Sequence, residues 1–524
     1  MTSDISTGKE KNLAEQGTDR RKFLKYGAGV VVVAAAAAAG YYALQPAPGP
    51  PTPTTTAATT AATTTAPPPV TTAAPTTINF YTTGHMGFMY DVGRLGWKPV
   101  ERYMAANPNI KIKTMVDSYF DVYTKESTTF AAGTYAWDVA YTNGILLAEF
   151  SVGDYWTPLD ELGGVPPEVI DDMVPYARCA SSYKGPEGTL YGLPRMYEIF
   201  TLMANADILD AKGIKFPTSY EEFLEACEKV NDPKHGVYAF EVGLKQGYLT
   251  SPYLCFLHGN GGSLWKNDNM QTVVPDSPES IAAVEDMVHL YKNFMPPSAI
   301  EKIAFVEAST DWYNGQMVFG LFYGWPTMVV TDPTAKIKRV YNWLWPGKKK
   351  IVRSASQTAA EAYGVPRTAK YKKEAWDFIQ YLSSREVQVQ DTLGMFWKQE
   401  NEEPIPSYWS YMTDDRFKAY PMNIILRAQL AQSKYRASRY DQRPSYGAYA
   451  AAIEAEIVNA LTEKKKPADA MKDARDACDK ILETEYAKYG GGYWDPWTEM
   501  QNLGSKIDKL IDAIPVEDQY KFPF

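Results

Sequence analysis

Between residues 77 and 144 the chain alternates β-type and helical patterns, and that alternation restricts the folds open to it. Thr77-Ile78-Asn79-Phe80-Tyr81 reads as a strand, followed by the loop Thr82-Thr83-Gly84-His85. Trp97, Val100 and Met104 then share one helical face, and Asn107-Pro108-Asn109 stops that helix. Ile110 to Val116 alternates as a second strand, and Tyr123 to Ala132 reads helical up to Gly133. Ala136-Trp137-Asp138-Val139-Ala140-Tyr141 is a third strand running into Thr142-Asn143-Gly144. A β-α-β-α-β order needs crossover connections, so it predicts a parallel sheet covered by helices. Ligands of such sheets gather at the carboxyl ends of the strands. That rule makes Tyr81, Thr82, His85, Tyr141 and Asn143 candidate ligand contacts.

At 524 residues the chain is too long for one ordinary core, and two or three domains are expected. The net charge of −9 and only four His argue against binding nucleic acid through a basic face. Cys179, Cys227, Cys255 and Cys478 show no metal-ligand spacing. Either they pair after export or all four stay free and buried. No cofactor is expected. Aromatic residues make up 13% of the chain, with 37 Tyr and 13 Trp. Rings with an apolar face and a polar edge suit carbohydrate stacking or a large interface, and they also serve as ordinary filler.

The segment before the first strand divides in three. Residues 1–25 are polar and contain Asp19-Arg20-Arg21-Lys22-Phe23-Leu24-Lys25. Residues 26–44 are uncharged and rich in Ala and Gly. Together they resemble a twin-arginine export signal, with Asp19 where Ser or Thr is usual. The apolar run is long enough to cross a bilayer at ~1.5 Å per residue. It is therefore either cleaved or retained as a membrane anchor, and no Cys follows it to take a lipid. Residues 45–77 are nearly all Pro, Thr and Ala, a composition that cannot bury a core and reads as an extended stalk, with Thr hydroxyls open to O-glycosylation.

Further along, Tyr191-Gly192-Leu193-Pro194 gives a turn signal before the apolar run Ile199 to Met203, with Arg195, Tyr197 and Glu198 between them. Thr218 and Glu221 have the spacing of a capping box. Ser277-Pro278-Glu279 opens another helix. Trp312 to Trp325 carries an apolar strand ending in Gly324-Trp325, and Trp312 itself suits the core.

The order of these pieces resembles the family 1 extracellular solute-binding proteins, the maltose-binding-protein-like receptors of ABC importers. The residues that carry the likeness are Asn107-Pro108-Asn109-Ile110, Trp137-Asp138-Val139, Trp156-Thr157-Pro158-Leu159-Asp160, Tyr191-Gly192-Leu193-Pro194, Trp312 to Trp325, Trp345-Pro346-Gly347 and Lys370 to Ser383. The likeness as a whole covers residues 77–483. Trp137 stands where the family has Pro, and Ala204 where it has Tyr before Asn205.

The resemblance implies an α/β, two-lobed periplasmic-binding-protein-like fold, each lobe a mainly parallel sheet flanked by helices, with the ligand cleft between lobes. Residues 78–193 and 344–385 are expected in lobe 1, 197–340 and 395–483 in lobe 2, and 484–524 as a C-terminal extension. Leu193-Pro194 becomes the first crossing, and Ile199 to Met203 the first strand of lobe 2. The implied function is capture of a polar solute, a sugar or oligosaccharide by preference, for delivery to an ABC importer permease. Tyr197, Glu198, Trp325 and Tyr446 are the implied contacts, with Glu361 and Tyr363 where relatives often carry Gly-Gly. A structural ion pair of Glu198 with Arg195 and a packed loop position for Trp325 are the alternatives, and Glu361 and Tyr363 either contact ligand or fill space. No catalytic residue is assigned. A surface-layer or adhesion protein, or a hydrolase with two carboxylates, are the other classes weighed.

Overall fold

The chain divides into Met1–Ala74 and Pro75–Phe524. The computed structural model describes residues 75–83, 98–184, 188–266, 272–304, 307–349, 352–354, 358–393, 405–437, 443–491 and 493–522. The twin-arginine motif, the 26–44 segment, the stalk up to residue 74 and His85 lie outside the described residues. Among those described, no helix is long and apolar enough to cross a membrane.

The first strands and helices follow the alternation read from the sequence. They are β1 (Thr76–Thr83), α1 (Pro99–Ala106), β2 (Ile110–Asp117), α2 (Tyr119–Ala132), β3 (Val139–Asn143) and α3 (Gly144–Ser151). β1 pairs in parallel with both β2 and β3. The strands run further than expected: Thr82, Thr83 and Asn143 lie within them, and Gly144 already belongs to a helix. α2 also begins four residues earlier, at Tyr119. It ends at Gly133, whose φ of 62° is a conformation a side chain would strain. β2 forms a sheet edge and exposes Lys111 and Lys113, charges that discourage pairing with a second chain.

The rest of the sheet is built around one long strand, β4 (Gly192–Asn205). The elements that follow it are α4 (Tyr220–Val230), β5 (Tyr238–Glu241), α5 (Thr250–Gly259), α6 (Pro278–Phe294), β6 (Met317–Tyr323), β7 (Val340–Trp343) and β8 (Thr358–Gly364). Five helices close the fold: α7 (Lys372–Leu382), α8 (Arg385–Leu393), α9 (Met422–Ser433), α10 (Tyr446–Leu461) and α11 (Pro467–Tyr489). α12 (Gly504–Ala513) lies in the extension. The strand order is β2-β1-β3-β8-β4-β6-β5, with β7 also pairing β4.

The sheet is mixed. β8 runs antiparallel to β3 and β4, β4 antiparallel to β6 and β7, and β5 parallel to β6. Gly192 to Ile199 of β4 pair with β8, while Phe200 to Ala204 pair with β6. The crossing between halves is therefore continuous strand, not a break at Leu193-Pro194. A Cβ on Gly192 would run into the Tyr363 carbonyl, so the two backbones approach too closely there for a larger residue.

Two hydrophobic cores sit on the two halves. The smaller gathers Phe80, Trp137, Val139, Trp156, Tyr363, Phe378 and their neighbours. Phe80 meets Tyr363 and Phe378 edge-on at 5.1 and 5.3 Å, arrangements worth about 0.5–1.5 kcal/mol each beyond burial. The larger gathers Ile199 to Ala204, α4 to α6, β6 and α9 to α11. Leu344 and Trp345, expected with lobe 1, are buried in this larger core, as are Tyr493, Met500, Ile507, Ile511 and Tyr520 from 484–524. Trp312 is fully buried, and its Nε1 donates to the Pro326 carbonyl at 3.2 Å. All four cysteines are free and buried. The cap of α4 lies one residue later than the sequence spacing predicts. Ser219 accepts from the Glu222 N–H at 3.1 Å, and Glu222 reaches back to Thr218 N at 2.8 Å.

Candidate functional site

Register decides which of the expected contacts can meet. Residues directly opposite in paired strands project to the same face, and alternate residues along a strand share it. Phe80 pairs with Val139, so Thr82, Tyr141 and Asn143 lie on one face. Asn143 pairs with Glu361 and Tyr141 with Tyr363, which adds both β8 residues. Ala359 pairs with Glu198, which brings β4 to the same face. Glu198 and Glu361 are then diagonal neighbours, with backbones about 7–8 Å apart.

Five of these side chains are buried and make two hydrogen-bonded sets on that face. The Tyr141 hydroxyl donates to Glu361 Oε1 at 2.8 Å. Asn143 Nδ2 donates to the Tyr141 oxygen at 3.3 Å, and Thr82 Oγ1 lies 3.0 Å from the Tyr363 hydroxyl. Asn143 Oδ1 accepts from Leu146 N at 3.0 Å, which fixes the amide against the start of α3. Glu361 is 2% exposed and Glu198 1%. The group presents carboxylate, amide and hydroxyl oxygens at the carboxyl ends of β1 and β3, beside β4. Carboxylates of this kind accept two neighbouring hydroxyls in charge-assisted bonds.

The remaining candidates lie elsewhere. Tyr81 alternates with Thr82 and faces the other way, stacked on Trp137 at 4.2 Å. Burial and the nearby Asp117 and Glu126 push its hydroxyl well above the usual tyrosine range. Tyr197 alternates with Glu198 and is buried in the larger core, so strand pleat turns it from the face expected for a contact. Tyr446 opens α10 and packs edge-on against Tyr449 at 5.3 Å in the larger core. Trp325 begins a short 3-10 helix, Trp325–Thr331, and its side chain lies outside those described.

Arg195 is 3.6 Å from Asp391 on α8, both buried. Pro194 and Met196 pair with adjacent β8 residues, Ala362 and Glu361, leaving Arg195 as the extra residue of a bulge. A bulge bends its strand and often re-aims side chains near a site. Sequence reasoning missed Gln388 and Gln429, fully buried amides that bond β4, although a Gln within the apolar run of α9 was a visible signal. Among the described residues no group of three or more His, Cys, Asp or Glu is placed to hold a metal.

Comparison with known proteins agrees with this architecture. The chain resembles maltose-bound MalE3 of T. maritima with a TM-score of 0.65 and 20% identity, over 78% of this chain and 99% of that one. It resembles the GacH receptor of Streptomyces glaucescens, solved unliganded and with acarbose, with a TM-score of 0.65 and 19% identity, over 79% and 99%. At these identities the likeness establishes the two-lobed fold. An uncharacterized lipoprotein in the oleD 5' region of Streptomyces antibioticus is 27% identical over 224 residues, 39% of this chain and 48% of that protein, so the match spans about half of the relative's length. The bacterial extracellular solute-binding protein profile matches residues 93–389, more than half of the sequence. The chain therefore belongs to the family of bacterial extracellular solute-binding proteins, a family of binding proteins rather than enzymes.

Proposed function

We propose that this protein captures a neutral polyhydroxylated solute, a sugar or oligosaccharide, by closing two lobes on it, and presents it to the permease of an ABC importer. The observation that carries the reading is the shared face of Thr82, Tyr141, Asn143, Glu361 and Tyr363, hydrogen-bonded in two sets, with Glu198 on the same face. Its carboxylates select against anions. A solute touching both lobes favours the closed form because only that form offers both sets of contacts. Trp325 supplies a stacking ring in this reading. The names of the structural neighbours, with maltose and acarbose, point to the same class of ligand.

The lobes follow the two cores in this reading and are joined at β4, with Leu344, Trp345 and the 484–524 extension in the second lobe. Export through the twin-arginine-like motif places the body on the outer face of the membrane, and residues 26–44 anchor it if they are retained. The four cysteines are buried, so a peptide anchor rather than a lipid on Cys fits this chain.

A thermal-shift screen against neutral sugars, polyols, uronates and sugar phosphates, paired with a product assay, tests the reading. Stabilisation by a neutral sugar without turnover is expected. Turnover would favour the two-carboxylate hydrolase, and silence across the panel the adhesion role; either result overturns the proposal.

A further inference from the structure

β4 is the strand through which the two halves of the sheet are joined, and its middle is held by buried amides from two different helices. Gln388 of α8 is 1% exposed; its Nε2 donates to the Pro194 carbonyl at 2.9 Å, and its Oε1 accepts from Ser407 N at 2.8 Å. Gln429 of α9 is fully buried; its Oε1 accepts from Ile199 N at 2.6 Å. These contacts bracket the segment 194–199, which contains the Arg195 bulge and Glu198 and ends where β4 passes from β8 to β6.

Gln388 lies where the cores meet, and Gln429 lies within the larger core. Val387 belongs to the smaller core and Val389 to the larger, with Gln388 between them. Ser407, its second partner, sits between Ile405 of the larger core and Tyr408 of the smaller. The Ser407 carbonyl also accepts from Val174 N at 2.8 Å, and Trp409 N donates to Asp172 at 2.9 Å, so residues 172–174 join the same junction. Asp391, one turn beyond Gln388 on α8, reaches Arg195 of the bulge. Gln429 lies against Gly324, next to Trp325: a Cβ on Gly324 would fall 2.7 Å from its Nε2.

We propose that Gln388 and Gln429 form a polar clasp on β4 that sets the interlobe angle of the solute-free protein, and through it solute affinity, without touching solute. They are positioning residues. Buried hydrogen bonds of fixed geometry specify one backbone arrangement, because any other leaves a buried amide or carbonyl unpaired. Removing the Gln388 donor or the Gln429 acceptor frees the bent segment to sample other angles. Apparent affinity then changes by the fraction of molecules in the binding-competent arrangement.

The inference rests on the lobe-closure reading above, yet its test needs no solute. Spin labels on cysteines introduced at Lys111 and Lys229, both exposed, report the interlobe distance, and the buried native cysteines stay unlabelled. In the full chain without solute, Gln429→Met and Gln388→Met are expected to shift or broaden the distance distribution. Gln429→Glu, which keeps an acceptor for Ile199 N, is expected to retain the wild-type distribution. A purely structural role would lower the melting temperature of the Met variants and leave the distances unchanged. Unchanged distributions in both Met variants overturn the clasp; should either fail to fold, the other and the Glu variant decide it. A silent sugar panel would leave this result standing, and unchanged distances would leave the sugar reading standing.

Discussion

Glu126 offers a sharp test of the packing account. It lies at the centre of the buried face of α2, one turn from Val122 and one from Phe130. It is fully buried, and neither carboxylate oxygen has a hydrogen-bond partner among the described residues. Burial therefore raises its pKa well above the ordinary 4.5. The sign follows from proton binding. The folded state holds a proton that the unfolded state releases above 4.5, so stability is fully present below that value and falls as pH rises towards the folded value. The slope is about 1.4 kcal/mol per pH unit for one proton. From pH 5 to pH 7 the wild type should thus lose stability relative to Glu126→Gln, which keeps the shape and removes the titration. Urea unfolding of both proteins at pH 5 and pH 7 measures it. A stability gap that is the same at the two pH values would refute the reasoning.

Other consequences follow from particular contacts. Tyr141→Phe removes the donor to Glu361, and Glu361→Gln removes the charge; each should weaken binding of the stabilising sugar about 10- to 100-fold by calorimetry. Asp391→Ala takes a counter-charge from buried Arg195 and should cost about 3 kcal/mol in urea unfolding, whereas exposed Lys373→Ala, which breaks a pair with Asp377, should leave urea unfolding unchanged.

Much of the fold was legible because its periodicities are local. The alternation of Ile110 to Val116 and the breaks at Asn107 and Gly133 gave strands and helices at nearly their observed places. β4 was harder. Leu193-Pro194 looks like an interruption in sequence, yet Pro194 fits within the strand beside a bulge, a feature that only the partner strand reveals. Thr82, Tyr141, Asn143, Glu361 and Tyr363 were all named from strand ends or from the family likeness, and register assembles them. Tyr81 and Tyr197 were named with them and face away, because neighbours in a strand point to opposite faces. The end of the chain had no pattern to place it. Its Trp494 ring lies 5.0 Å from the Arg178 guanidinium, a contact 316 residues apart in sequence that no local signal foretells.

The most direct test of solute capture is small-angle scattering with and without the sugar that gives the largest thermal shift. Closure on the solute predicts a smaller radius of gyration at saturation, with Glu361→Gln remaining at the unliganded value at the same sugar concentration. A saturated wild-type protein whose scattering is unchanged would contradict capture by lobe closure.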